Sequence, residues 1–320
     1  MSQEIRLEVI DGAAAVAIPK RNVLRLIWAA MRPHQWVKNL FIFAPLLFGR
    51  KLTDPMAVSN AFLAFAAFCL VSSGLYIFND WVDSAEDRAH PEKRLRPIAS
   101  GELSAFAALT AFAILSLAAI AIAFFVGKAL LFIVGVYFVL ILAYCLVFKR
   151  LLVLDCITIA AGFVLRVVGG AVAVAVAPSH WLIACAFLLA LLLAFTKRRQ
   201  EILVLSDNAT SHRSILGEYS VAYLDQINNI LIGTVIVCYA LYTVAPETIA
   251  RFGTDALIYG TVFVIYGMFR YLALIKDPAN GGNPSKMLIT DTPLMLTVAG
   301  WAAYNAFILY LIPIRNAFGL

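Results

Sequence analysis

Carboxylates are scarce in this chain, with 19 Asp and Glu among 320 residues. The densest cluster is Asn79-Asp80-Trp81-Val82-Asp83-Ser84-Ala85-Glu86-Asp87-Arg88. On a continuous helix Asp80, Asp83 and Asp87 stand at i, i+3 and i+7 and share an arc of ~60°. Like charges at such spacing repel, so the pattern does not serve helix stability. A hard divalent cation removes the repulsion. Mg²⁺ takes oxygen ligands and often binds through a few carboxylates plus substrate phosphates. Asp80, Asp83 and Asp87 are therefore candidate metal ligands. The alternative is a solvated acidic cap on a helix end. Arg88, Lys93, Arg94 and Arg96 follow within a stretch that also holds Pro91, Pro97 and Gly101. Cations beside metal-binding acids suit a diphosphate, whose remaining charge they neutralise. A topological excess of Lys and Arg would explain the cations but not the adjacent acids.

Three further groups carry polar chemistry. In Arg32-Pro33-His34-Gln35-Trp36-Val37-Lys38-Asn39, helical spacing puts Arg32, Gln35 and Asn39 on one face. Lys38 stands inside an apolar stretch, where such a residue either faces a cavity or snorkels to the interface. Asp155, Thr158, Gly162 and Arg166 form one helical stripe, with Arg166 about 16 Å beyond Asp155 along the axis. That is near a bilayer midplane, so Arg166 must point inward. It holds a lipid phosphate or an acid, or it ties backbone carbonyls together. The last group begins Lys197-Arg198-Arg199-Gln200-Glu201 and continues through His212-Arg213 to Tyr219 and Asp225. A stop-transfer basic run with a loop would look similar.

The elements that position these residues are membrane spans. Hydrophobic residues make up 62% of the chain and charged ones 14%, against about 45–50% and about 25% in soluble domains. That excludes a water-soluble globule, a disordered chain and a repeat solenoid. Nine apolar stretches read as spans: roughly Val23–Phe48 (interrupted by Pro33 and Pro45), Met56–Asn79, Ala105–Val126, Ala129–Phe148, Leu152–Ala177, Ser179–Thr196, Ala222–Ala245, Asp255–Ile275 and Pro293–Ile314. Each approaches the ~20 residues that cross a bilayer. If they alternate, the long polar links 80–104, 197–221 and 276–292 fall on one side with the N-terminus. Lys and Arg crowd that side, and only Arg50, Lys51, Lys128, Arg251 and Arg315 fall opposite. The positive-inside rule then puts the long links and N-terminus in the cytoplasm and the C-terminus outside.

The net charge of +6 reads as basic loops held against a lipid bilayer, not as nucleic-acid binding. Cys69, Cys145, Cys156, Cys185 and Cys238 lie in apolar stretches without metal spacing and read as small buried hydrophobes. Residues 1–22 read as a cytoplasmic segment without a cleavable leader, and 23–320 as a single transmembrane domain. P-loop, zinc, dinucleotide and nucleophile-elbow patterns are missing from the sequence.

The pattern Asn79-Asp80-x-x-Asp83-x-x-x-Asp87 at the end of the second span resembles the first motif of the UbiA prenyltransferase superfamily. Within it the chain is most similar to the decaprenyl-phosphate phosphoribosyltransferases. The resemblance is carried by Arg32-Pro-His-Gln-Trp-Val-Lys38-Asn39, Asp87-Arg88-x-His90-Pro91-x-Lys93-Arg94-x-Arg96-Pro97-Ile98-Ala99-x-Gly101, Lys197-Arg198-Arg199-x-Glu201, His212-Arg213 and Tyr219-Ser220-x-x-x-Leu224-Asp225. It implies an all-α bundle around a central cavity open to the cytoplasm, in the inner (cytoplasmic) membrane. The implied reaction moves 5-phosphoribose from phosphoribosyl pyrophosphate (PRPP) to a polyprenyl phosphate, with Mg²⁺ on the leaving pyrophosphate; the implied metal ligands are Asn79, Asp80, Asp83 and Asp87, and the implied catalytic residues Asp80, Asp83 and Asp87. The implied substrate-binding residues are Gln35, Lys38, Asn39, Arg88, Lys93, Arg94, Arg96, Asp155, Arg166, Lys197, Arg198, Arg199, Arg213, Tyr219 and Asp225. A homo-oligomer is a further expectation of the resemblance. The aromatic-acceptor branch usually carries a second Asp-rich motif where this chain has Lys197-Arg198-Arg199. That departure argues against a prenyl transfer to an aromatic acceptor. A transporter of a phosphorylated metabolite is the other rival, but here the charged clusters crowd one face instead of marking a path across the membrane.

Overall fold

The computed structural model describes residues 5–6, 18–19, 22–177, 180–205, 214–276 and 290–311. Eight helices among them are long and apolar enough to cross a membrane. The chain is thus a multi-pass helical membrane protein. The main helices are α1 (Val23–Met31), α2 (Ala44–Phe48), α3 (Pro55–Val82), α4 (Ser84–Ala89), α5 (Ala105–Val126), α6 (Lys128–Leu146), α7 (Leu154–Ala173), α8 (His180–Leu205), α9 (Val221–Val244), α10 (Pro246–Phe252), α11 (Thr261–Lys276) and α12 (Thr292–Ala306). Ile5–Arg6 and Ile18–Pro19 pair as a short antiparallel ladder.

Helix starts follow from local chemistry. Asp54 accepts from the Met56 and Ala57 amides at 3.1 and 3.2 Å, with Pro55 opening α3. Ser104, Ser220 and Asp291 cap α5, α9 and α12 in the same way. Such caps contribute roughly 1 kcal/mol each.

The expected first span is not one helix. α1 ends at Met31, Arg32 takes a left-handed conformation (φ 54°), and Pro33–Phe43 winds as a 3-10 helix before α2. A 3-10 run this long is uncommon. It is tied down along its length. The Trp36 indole donates to Ser73 at 3.0 Å, and Asn39 donates to the Cys69 sulfur at 3.2 Å. Gly170 of α7 admits the backbone of Ile42, since a Cβ there would stand 2.0 Å from the Ile42 carbonyl oxygen.

α3 and α7 form the middle of the bundle. Over their apolar windows 61% of each is buried, against 22% for α5 and α6. Without a hydrophobic drive inside lipid, close packing of small residues holds such helices together. α5 accordingly turns Ala108, Ala111, Ser116, Ala119 and Ala123 inward and leaves Phe106, Leu117 and Phe125 outside. Ser116 meets Gly74 of α3, where a Cβ would come within 3.2 Å of its Oγ. Alternating helices bring the end of α3, the start of α7, the end of α8 and the start of α9 to one end of the bundle, where ion pairs join them.

Candidate active site

The acidic motif straddles a break in the helix. α3 stops at Val82, Asp83 caps it, and α4 resumes at Ser84. The Asp83 amide donates to Asn79 and the Asp87 amide to Asp83, at 2.9 and 2.8 Å, so helical register survives the break. The expected shared face therefore persists for Asp80 and Asp87. Both are buried, and both accept from Arg96 Nη1, at 3.0 and 2.6 Å. Arg32 also donates to Asp80 Oδ1. Asp83 turns elsewhere: its Oδ2 accepts from Asn79 at 2.9 Å and its Oδ1 from Lys149, on the turn between α6 and α7. Burial pushes the Asp87 carboxyl above the usual carboxylate range, against the opposing pull of Arg96 and Lys93.

A divalent cation fits the chemistry of this set but not as a closed protein cage. The donors are hard oxygens, suited to Mg²⁺. Among the described residues no three His, Cys, Asp or Glu side chains gather around one point. Arg96 Nη1 lies between two of the carboxylates, a position where positive charge is already accepted. Mg²⁺ usually completes its shell with substrate phosphate and water, so two carboxylates with a substrate suffice.

The other expected residues divide. Arg88 and Arg94 are exposed, and Arg88 Nε donates to the Ala99 carbonyl at 3.2 Å. Lys93 is half-buried on the 93–95 turn. The 3-10 winding changes the expected register of the first segment. With three residues per turn, Gln35 and Lys38 share one row, half-buried, while Asn39 turns into the core beside Arg166. The α7 stripe stands as read: Asp155, Thr158, Gly162 and Arg166 are all buried. Arg166 donates to Asn39 Oδ1 at 2.6 Å, to the Gly162 carbonyl at 2.8 Å and to the Tyr137 hydroxyl at 2.8 Å, and lies over the Tyr137 ring.

The second cluster is helical where a loop was expected, because α8 runs on to Leu205. Its arginines turn inward. Arg198 donates to Asp155 Oδ2 at 2.7 Å and to Glu201. Asp155 Oδ1 accepts from the Tyr219 hydroxyl at 2.8 Å, and that hydroxyl accepts from the Val153 amide, also at 2.8 Å. Burial and the neighbouring Asp155 push the Tyr219 phenol up. Arg199 donates to Asp225 at 2.7 Å and to the Ile275 carbonyl at 2.8 Å, joining α8, α9 and α11. Lys197 is exposed, 3.8 Å from Glu201. Arg213 lies outside the described residues.

The turn between α6 and α7 links both clusters. Lys149 reaches Asp83 on one side, and the Val153 amide reaches Tyr219 on the other. Val153 has φ 65° and ψ −40°, and Leu154 donates across it to Leu152 at 2.7 Å. This is a γ-turn of the strained positive-φ form, on a β-branched residue that tolerates it poorly.

Arg32 and Lys149 bind the motif carboxylates, and the sequence assigned neither to them. Arg32 showed only as one face with Gln35 and Asn39, and Lys149 only as a basic residue between two spans. Tyr137 gave no signal, since a single Tyr within a span is ordinary.

The model of the UbiA prenyltransferase family matches residues 39–296. A decaprenyl-phosphate phosphoribosyltransferase of Corynebacterium glutamicum is 31% identical over 92% of this chain and 90% of its own length. One from Mycolicibacterium smegmatis is 29% identical over 91% of this chain and 94% of its own. Among solved structures, a UbiA homolog from Archaeoglobus fulgidus bound to GPP and Mg²⁺ superposes with a TM-score of 0.69 at 18% identity. That match covers 89% of this chain and 99% of the homolog.

Proposed function

Because the chain belongs to the UbiA prenyltransferase family, we propose that it transfers 5-phosphoribose from PRPP to a polyprenyl phosphate and releases pyrophosphate. The observation that carries this reading is the difference between the two polar clusters. In the second, the arginines that hold Asp155, Glu201 and Asp225 are themselves buried, Arg198 at 1% and Arg199 at 9% exposed, whereas Arg32 and Arg96 over Asp80 and Asp87 are 23% and 26% exposed. The aromatic branch uses two acidic motifs, and here one is left for a diphosphate. The names of the relatives agree with that choice.

In the proposed reaction the C1–O bond to pyrophosphate breaks and its electrons leave with the pyrophosphate. A phosphate oxygen of the lipid forms the new C1–O bond. A phosphate monoester is anionic at neutral pH, so no strong general base is needed. Catalysis is positioning plus stabilisation of leaving-group charge. Asn79, Asp80, Asp83 and Asp87 would hold Mg²⁺, which when bound neutralises that charge. Gln35, Lys38, Arg88, Lys93, Arg94 and Arg96 hold the phosphates and ribose of PRPP, and Arg32 and Lys149 join them. Asn39 and Arg166 fix the 3-10 segment to α7 and give the cavity positive charge for the acceptor phosphate. Arg198, Arg199, Asp155, Tyr219 and Asp225 position helices and touch no reacting atom, while Lys197 and Arg213 remain candidates for the mouth. On the positive-inside argument this end faces the cytoplasm.

The test is a donor choice. Purified protein in detergent receives labelled PRPP, Mg²⁺ and a short polyprenyl phosphate, with and without EDTA. EDTA-sensitive label in the organic phase is expected. Transfer only from a prenyl diphosphate to an aromatic acid would keep the fold and overturn the function.

A further inference from the structure

Each carboxylate of the acidic motif already has a protein cation on it. Arg96 Nη1 serves Asp80 and Asp87 together, at 3.0 and 2.6 Å. Arg32 adds a second contact to Asp80, and Lys149 holds Asp83. The cations come from three separate elements: the left-handed residue before the 3-10 segment, the loop after α4, and the turn after α6. At Asp80 and Asp87 the acids are the buried partners. The side chains of Asp80 and Asp87 are 3% and 5% exposed, while those of Arg32 and Arg96 are 23% and 26% exposed. Arg32 and Arg96 therefore have room to move toward solvent, and these two carboxylates do not. At Asp83 the order is reversed, with Lys149 9% and Asp83 19% exposed, so Lys149 stays in place.

A divalent ion entering alone meets a cluster of balanced charge and must break these contacts. A diphosphate entering alone meets cations whose charge the carboxylates already answer. Entering together, they exchange partners: the metal takes the carboxylates, and the arginines swing onto phosphate oxygens. No buried charge is left uncompensated at any stage, which is the costly outcome in a low-dielectric site.

Resting on the diphosphate-donor reading above, we propose that Arg32 and Arg96 are exchangeable counter-ions of the acidic motif, so that metal and diphosphate bind as a coupled pair. Free metal then binds weakly, and the diphosphate of the donor is what admits it. Such coupling between two ligands is reciprocal. It also keeps the motif from being loaded with metal while no donor is present.

The experiment measures Mn²⁺ that sediments with proteoliposomes of the full chain, with inorganic pyrophosphate as the anion. Protein-free liposomes and the Asp83→Asn variant give the background. Wild-type protein is expected to bind Mn²⁺ about tenfold or more tighter with pyrophosphate than without it. Arg96→Gln removes the shared counter-ion. It is expected to bind Mn²⁺ about tenfold tighter than wild type in the absence of pyrophosphate, and to gain less when pyrophosphate is added. Arg96→Lys, which keeps the charge, should behave like wild type. If Arg96→Gln does not fold, Arg32→Gln makes the same test at Asp80. A merely structural arginine would give a variant that binds metal no tighter. That result in a folded variant, or equal Mn²⁺ affinity of wild type with and without pyrophosphate, overturns the proposal. So does failure to bind Mn²⁺ in every arm. Pyrophosphate is the leaving group of PRPP and of prenyl diphosphates alike, so this measurement stands even if the phosphoribosyl assay fails.

Discussion

The end of α3 and the end of α8 both set carboxylates against basic side chains, but they bury different partners. At α3 Asp80 and Asp87 are buried and the arginines that hold them are about a quarter exposed. At α8 the central pair is sealed on both sides, with Arg198 1% and Asp155 0% exposed. A pair with one mobile, solvated partner can be opened by a ligand. A pair with none can only be broken by opening the fold. The same residue types thus make a binding site in one place and a fastening in the other. Counting charges along the chain does not separate them, whereas exposure does.

The comparison breaks first at Asp83. Asp83→Ala should lower transfer by at least about 10³-fold, the scale of losing a group that stabilises leaving-group charge. Expression should hold, with a smaller loss of midpoint than at Arg198, because Asp83 lies at a helix break and is 19% exposed, although its partner Lys149 is buried. Activity within a few-fold of wild type would remove Asp83 from the site. At the other cluster the loss should appear in stability. Arg198→Ala leaves Asp155 buried without its charge partner and should cost about 3–5 kcal/mol. The double variant Arg198→Met with Asp155→Leu should recover most of that in detergent unfolding, because apolar replacement of a buried pair is often neutral or better. Failure of the double variant to exceed the single one would mean the pair does more than fasten helices.

Gly170→Ala tests the docking of the 3-10 segment. Its Cβ would meet the Ile42 backbone, and overpacking of this kind costs about 1–3 kcal/mol. Because Gln35 and Lys38 ride on that segment, the KM for PRPP should rise as well. An unchanged KM in a destabilised variant would confine Gly170 to packing. The smallest effect is expected at Val153→Gly, which relieves the positive-φ γ-turn. Strain of that kind costs about 1–3 kcal/mol, less what glycine loses in chain entropy. A modest rise in thermal midpoint is expected, and a fall would show that the Val153 side chain packs more usefully than its backbone is strained.

Much of this was legible from residue types. Asp80, Asp83 and Asp87 were singled out by spacing, Asn79 by the family resemblance, and the buried stripe Asp155, Thr158, Gly162 and Arg166 by helical period. Two kinds of information were not. Winding was one: Pro33 marked an interruption of the expected span, but nothing local showed that Pro33–Phe43 would tighten to three residues per turn and send Asn39 inward. Long-range partnership was the other. Lys149 stands 66 residues from Asp83 and Asn39 stands 127 from Arg166, and no periodicity reports which helices touch. The Lys197-Arg198-Arg199 run illustrates the limit. Its charge suggested an exposed mouth, yet α8 carries Arg198 and Arg199 into the core because Asp155 and Asp225 wait there.

The most direct test compares the two clusters in one assay. EDTA-sensitive transfer of label from PRPP to polyprenyl phosphate is measured per folded molecule for wild type, Asp83→Ala and the double variant Arg198→Met with Asp155→Leu. The account predicts activity near wild type in the double variant and none above background in Asp83→Ala. Transfer that survives in Asp83→Ala and disappears in the folded double variant would reverse the assignment of the two clusters.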